Sequence, residues 1–252
     1  MSGGPAGGYP LRIVTLNIRH GGGSHIDAIA AALVRHDADV LVLSEYHAND
    51  SGCLLRDRLR DAGYLHWADG CPPVGTNSVA VTSRTPFAGT ALPLGESANR
   101  HRVVEVAVDG FTLGAVYFPQ KAAKVTFWRE EFLPLAAVQL TQPYVFIGDW
   151  NTGRHYADEA GATFFAAAEF VALSDTGWTD AWRSLHPQER DYTWFSTAGN
   201  GFRLDHAFLS PSLAPRLADA RLSHTERLKR VTDHSALIVE LADEPVAPLA
   251  GH

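Results

Sequence analysis

The sequence predicts a single α/β domain, on three observations. A strand-helix-strand pattern occurs twice, over residues 11–45 and 112–149, with polar residues near the exit of each strand. With 252 residues, of which 46% are hydrophobic, the chain is long enough to bury one sizeable core. No Pro/Ser-rich linker or charge run divides it, so residues 11–242 read as one domain between a flexible Gly-rich leader (1–10) and a frayed polar tail (243–252).

The elements follow in order. Leu11 to Ile18 reads as a strand, and after a glycine-rich turn the apolar residues from Ile26 to Val34 recur at helical spacing. Asp39 to Glu45 is a buried strand that ends in a glutamate, and a helix over Leu54 to Ala62 stops at Gly63. Strands are expected at Asn77 to Ser83, Arg102 to Val108 and Thr112 to Tyr117. A helix from Phe127 to Leu140 precedes the apolar run Pro143 to Ile147, which delivers Asp149. Another helix is expected over Ala160 to Ala172, ahead of strands at Tyr192 to Ser196, Arg203 to Leu209 and Ala236 to Leu241. Asn17 and Glu45 close the strands of the first unit, and Tyr117, Asp149 and Asn151 those of the second, so these exits are expected to converge on one sheet edge.

Composition limits the partners. A net charge of −7 argues against holding nucleic acid by bulk electrostatics, which needs surplus lysine and arginine. Arg100, Arg102, Lys121, Lys124 and Arg129 nevertheless cluster, and Arg154, Arg183, Arg190 and Arg203 follow; they read as a local basic surface or as ordinary solvated charges. No segment approaches the ~20 apolar residues that span a bilayer. Two cysteines, Cys53 and Cys71, build no disulfide framework, and a cytoplasmic monomer is expected.

Chemistry concentrates in a few polar pairs. Gly148-Asp149-Trp150-Asn151 puts a carboxylate and an amide two residues apart at a strand end, where both should project to one face. The plain alternative is an Asx turn after a buried strand. Asp205-His206 and Asp233-His234 also sit at the mouths of apolar strands, where an Asp-His dipeptide is otherwise a cap or turn. Carboxylates beside amides and imidazoles suit hydrolysis of a charged ester.

Taken together, Thr15-Leu-Asn-Ile18, Leu43-Ser-Glu45, Tyr117-Phe-Pro-Gln120, Gly148-Asp-Trp-Asn151, Tyr192-Thr-Trp-Phe-Ser196, Gly201-Phe-Arg-Leu-Asp205 and Asp233-His-Ser235 resemble the endonuclease/exonuclease/phosphatase superfamily, and within it the exonuclease III class of apurinic/apyrimidinic endonucleases. The resemblance implies a four-layer, DNase I-like sandwich of two facing mixed sheets flanked by helices. It implies Mg²⁺ or Mn²⁺ held by Glu45, with Asn17 beside it and Asp233 supporting. It implies that Asp149 activates water, that Asn151 holds the water or the phosphate, and that His234, bonded to Asp205, stabilises charge on phosphoryl oxygens. Tyr117 is then placed near the scissile phosphate. Arg100, Arg102 and Lys121 become phosphate contacts, and Tyr192, Trp194 and Phe202 line a pocket for a flipped sugar or stack on a base.

The expected activity is phosphodiester hydrolysis of DNA at abasic sites or 3′ ends. Arg19, His20 and Gly21 to Gly23, and a short stretch between Asn151 and Trp178, depart from that nuclease pattern. They favour the alternative, a metal-dependent phosphatase or phosphodiesterase for a small molecule or phospholipid headgroup. A non-enzymatic binder has no need for Glu45, Asp149, Asn151, Asp205 and His234 together.

Overall fold

The computed structural model describes residues 9–246 apart from residue 109. The first half contains β1 (Leu11–Asn17), α1 (Ile26–Arg35), β2 (Val40–Tyr46), α2 (Asp50–Asp61), β3 (His66–Asp69) and β4 (Ser78–Ser83). There follow β5 (Gly89–Ala91), β6 (Val103–Val108), β7 (Phe111–Tyr117), α3 (Ala123–Phe127), α4 (Leu133–Gln139) and β8 (Tyr144–Asp149). The remainder holds α5 (Ala167–Asp175), β9 (Thr179–Asp180), α6 (Ala181–Leu185), β10 (Trp194–Phe195), β11 (Gly201–Phe202), β12 (Asp205–Leu209), β13 (Leu217–Ser223), α7 (Thr225–Leu228) and β14 (Ala236–Leu241).

Two six-stranded sheets result, in the orders β13-β14-β1-β2-β4-β3 and β5-β6-β7-β8-β12-β9, with β10 and β11 as a separate ribbon. Each strand-helix-strand unit supplies the parallel pair of its sheet, β1 with β2 and β7 with β8; the other pairings are antiparallel. Ile13, Val42 and Val81 of one sheet meet Val106, Val145 and Ala207 of the other in the layer between them. Ile29 and Leu33 of α1, with Leu55 and Leu59 of α2, cover the outer face of the first sheet. An aromatic layer of Phe127, Trp128, Phe132, Trp150 and Phe170 covers the second. The strands therefore read as continuous apolar runs because both faces are buried. The four-layer sandwich expected from the sequence is the fold observed.

Several details differ. The strand exits converge from two facing sheets, not along one edge. The helix expected over Ala160 to Ala172 begins only at Ala167, because residues 159–166 form a loop held by Glu159. The helix expected at Phe127 starts at Ala123 and passes through a π-helical turn, Trp128–Phe132, just before Pro134, whose missing N–H removes an α-type hydrogen bond. Strand β13 is not foreseen. It is an edge strand with a bulge between Leu217 and Asp219 and an outward Asp219–Arg221 pair, so its alternation is broken. Leader residues 1–8 and tail residues 247–252 lie outside the described residues. Among the described residues no helix is long and apolar enough to cross a membrane, and both cysteines are exposed free thiols.

Candidate active site

The two sheets are stitched together where β1, β2, β7 and β8 end. The Asn17 amide donates to Asp149 Oδ2 at 2.8 Å, and the Asp149 N–H donates to Ser44 Oγ at 3.2 Å. The Tyr117 hydroxyl donates to Glu45 Oε1 at 3.4 Å. Glu45 is the extra residue of a β-bulge against β4 and has φ 59°, so the bulge turns its carboxylate out of the pleat. Its Oε2 accepts the His20 N–H at 2.7 Å. Arg19, His20, Lys121 and Asn151 also have positive φ, so among the described residues five of the ten non-glycine residues held in this costly region line one cleft.

The Gly148-Asp-Trp-Asn stretch shows why these residue types are needed. A Cβ at Gly148 would lie 2.0 Å from the Val116 carbonyl, so only glycine lets β8 pass β7 here. Trp150 is fully buried, stacks on Phe118 at 4.9 Å and donates to the His206 carbonyl at 3.1 Å, which anchors its neighbours. Asn151 then turns into the left-handed region, and its N–H donates to Asp149 Oδ1 at 2.8 Å. The two side chains meet through an Asx turn, not through the pleat. The plain reading of this tetrapeptide, an Asx turn after a buried strand, is the geometry observed.

Asp205 lies directly opposite Asp149 across the β12/β8 ladder, and His234 Nδ1 donates to Asp205 Oδ2 at 2.8 Å. Burial, then the Asp205 charge, pushes the Asp149 carboxyl up to about 7, with the His234 charge opposing. Burial by itself would lower His234, but its charge and hydrogen-bond contacts with Asp205, followed by the charge of Asp149, raise it to about 10. Burial, then Glu45 and Asp149, raises Tyr117, which stays a neutral hydroxyl donor. Asn77 donates to the Tyr117 oxygen at 3.1 Å.

A cleft of about 400 Å³ opens over this cluster. Of the residues singled out in the sequence, Glu45, Asn151, Asp233, His234, Lys121, Trp194 and Phe202 line it. Asn17, Tyr117, Asp149 and Asp205 are buried just beneath, joined to those residues by the bonds above. Asp233 is held by the Trp194 indole N–H at 3.2 Å and faces Arg19 at 3.9 Å.

Other residues lie elsewhere. Tyr192 packs over Gly201, where a Cβ would meet its ring at 2.3 Å. Arg102 is half-buried over the Tyr117 ring, and exposed Arg100 lies beside Glu96 at 3.8 Å. Arg203 belongs to no basic surface. It is fully buried between Asp158 and Asp180, at 2.8 and 2.7 Å, and Arg183 joins Asp158 at 2.8 Å. His206 donates to the Thr152 carbonyl, away from the cleft. Lys124, read in the sequence only as one of a basic cluster, is buried at the cleft with its ammonium on the Asn151 carbonyl. Burial lowers it to about 8, against the pull of Asp149. Phe164, Phe165 and Leu204 complete the lining.

The donors suit a hard divalent cation. Glu45, Asp149 and Asp205 bring three carboxylates against one imidazolium, and Asp205 Oδ1 is buried with no hydrogen-bond partner. Among the described residues no group of three or more His, Cys, Asp or Glu is placed to enclose a metal. If such an ion binds here, Glu45 and the partnerless Asp205 Oδ1 are oxygen donors of the hard type it takes.

The Endonuclease/Exonuclease/phosphatase family profile matches residues 14–234, which run from β1 through His234. The DNA repair nuclease APEX1 of Danio rerio is 26% identical over 235 residues, covering 82% of this chain and 74% of that protein. An AP endonuclease from Archaeoglobus fulgidus superposes with a TM-score of 0.79 at 23% identity, covering 92% of this chain and 99% of that one. The 3′ phosphatase NExo from Neisseria, bound to a product DNA hairpin, gives the same values. With the match spanning every strand exit described above, the chain belongs to the Endonuclease/Exonuclease/phosphatase family and is a phosphoric ester hydrolase.

Proposed function

We propose that this protein is a divalent-metal-dependent phosphodiester hydrolase of the exonuclease III type, cutting DNA at abasic sites or trimming 3′ ends. One observation carries the reading: the acid-histidine cluster shares its cleft with an apolar wall of Trp194, Phe202 and Leu204 and with the cations Arg19, Lys121 and Lys124. Such a wall receives a base-free sugar, and such cations hold its flanking phosphates. The DNA repair nuclease relative supports the same substrate class. The cleft is complete within one chain, and we take residues 11–242 as a domain that acts as a cytoplasmic monomer.

The residues divide the work as follows. Asp149, held by Asn17 and the Asn151 N–H, takes a proton from the attacking water. The new P–O bond forms in line as the bond to the leaving oxygen breaks, that oxygen takes up a proton from water in the open cleft, and we assign the neutral Tyr117 hydroxyl to the same side of the phosphate. His234, kept cationic by Asp205, donates from its free Nε2 to a phosphoryl oxygen, and Lys124 adds charge from the cleft floor. Mg²⁺ or Mn²⁺ at Glu45, with Asp233 and Asn17 nearby, would neutralise charge on the phosphate and orient it. Lys121 is the phosphate contact of the cleft itself, with Arg100 and Arg102 farther out.

Activity on abasic duplex, undamaged duplex and a small aryl phosphodiester, with and without EDTA, tests the reading. Phe202→Ala is expected to lower abasic-site cleavage about tenfold more than aryl diester hydrolysis, since only the former uses the wall. Brisk aryl diester turnover with no cutting of abasic duplex at low salt transfers the assignment to a phosphatase or phosphodiesterase for a small molecule or phospholipid headgroup. The Asp205 and His234 pair yields a second expectation. Asp205→Asn and His234→Gln should each cost nearly as much turnover as the double variant, because the two act as one hydrogen-bonded unit. Additive losses in single-turnover assays would separate them.

A further inference from the structure

We propose that Phe165 is a stacking platform for an unpaired nucleobase beside the scissile phosphate, so that the cleft prefers DNA whose bases have left the duplex stack. This rests on the DNA-hydrolase reading and adds which form of DNA the site selects.

Phe165 lines the cleft with half of its surface (50%) in solvent. Its neighbour Phe164 is already engaged, parallel to the His155 ring at 6.2 Å and edge-on to Phe202 at 5.6 Å. Phe165 has no aromatic partner among the described residues, so its ring face is available. The loop that carries it is firmly held. Glu159, 1% exposed, accepts the Thr163 and Phe164 N–H groups at 2.7 and 3.2 Å and also bonds His155 and the Thr163 hydroxyl. The Thr152 hydroxyl donates to the Phe165 carbonyl at 2.7 Å, and Ala166, at φ 64°, turns the chain into α5. A pinned aromatic loses little conformational entropy when a ligand arrives.

The ligand class follows from the surroundings. Trp194, Phe202 and Phe164 continue the apolar wall, while Arg19 and Lys121 in the same cleft meet a backbone. Aromatic faces combined with cations bind single-stranded nucleic acid with little sequence preference, because every base has a π-face. A base inside an intact duplex offers none. Frayed or unpaired 3′ ends, and strands opened beside an abasic site, do.

The experiment compares binding, in EDTA, of a short fluorescent oligothymidylate and of an oligomer of equal length and charge made of base-free tetrahydrofuran units. The intact protein should bind the base-bearing strand about tenfold more tightly. Phe165→Ala should remove most of that preference and Phe165→Trp should restore it; with the side chain half in solvent, neither change disturbs the core. Phe165→Ala that keeps the full preference, in a protein that cuts abasic duplex in Mg²⁺, overturns the stacking role alone. An intact protein that binds neither oligomer and cuts no DNA overturns both this role and the substrate reading.

Discussion

Asp149→Asn is expected to lower turnover by about 10²–10⁴-fold, the range for loss of a general base, and to flatten part of the pH dependence of stability in the metal-free protein. Asp149 is fully buried, opposite Asp205, and titrates near 7 in the folded chain against 3.8 for a free carboxyl. The folded state therefore holds this proton more tightly than the unfolded one. Its contribution to stability is complete below the unfolded value and is lost as pH rises through 7. Relative to Asp149→Asn, the unaltered protein should lose on the order of 2–4 kcal/mol between those limits. Urea denaturation of both proteins in EDTA across that window measures the difference, and parallel curves would remove Asp149 as a buried titrating acid. His234 behaves similarly at higher pH: its contribution is present below 6.5 and lost through about 10. Turnover should therefore rise as Asp149 ionises and fall as His234 loses its proton, with a bound cation moving the acidic limb to lower pH.

Glu45→Gln is expected to cost about 10³-fold in turnover, since a metal ion contributes several kcal/mol of charge stabilisation. It should weaken Mn²⁺ binding in an EPR titration while leaving the urea midpoint unchanged. Glutamine keeps the length of the side chain and an oxygen for the His20 N–H, but it lacks the charge that attracts a cation. Hydrolysis that continues in excess EDTA, or at full rate in this variant, would remove Glu45 from the role of principal ligand.

The sequence was most legible where a charged group interrupts an apolar run. Asp149 ends β8, Glu45 stands one residue from the end of β2, and Asp205 and His234 adjoin two more strands, so each position was legible, while their grouping into one site rested on the family resemblance. Residues whose environment is created by distant segments were not legible. Lys124 sits on a short helix with nothing local to signal burial, and only the Asn151 turn brings it to the cleft floor. The Ala-rich stretch before α5 has helical composition, but the Glu159 carboxylate takes the N–H groups of Thr163 and Phe164 and keeps the chain in a loop. Arg203 reads as a surface charge until Asp158 and Asp180 close on it from other elements; burial pulls its pKa down, but the charges of Asp180 and Asp158 outweigh that and raise it. Tyr192 belongs to the same motif as Trp194 but settles on Gly201, because the narrow ribbon leaves room for a ring there.

The seam between β1 and β14 joins the first and last strands of the domain. Strand β1 is paired on one side by β14, and the Thr232 hydroxyl closes on the Asn17 carbonyl across 215 residues of sequence. During vectorial synthesis Asn17 and Glu45 emerge first, yet β1 keeps an open edge until β14 has been made, and His234 arrives only just before that strand. Assembly governed by such distant pairings is slow and cooperative. A chain that stops short of His234 holds most of the acids but lacks the imidazole and the strand that closes the edge of β1. Asn17 and Glu45 from the start of the domain therefore meet Asp205 and His234 only once its last strand is in place.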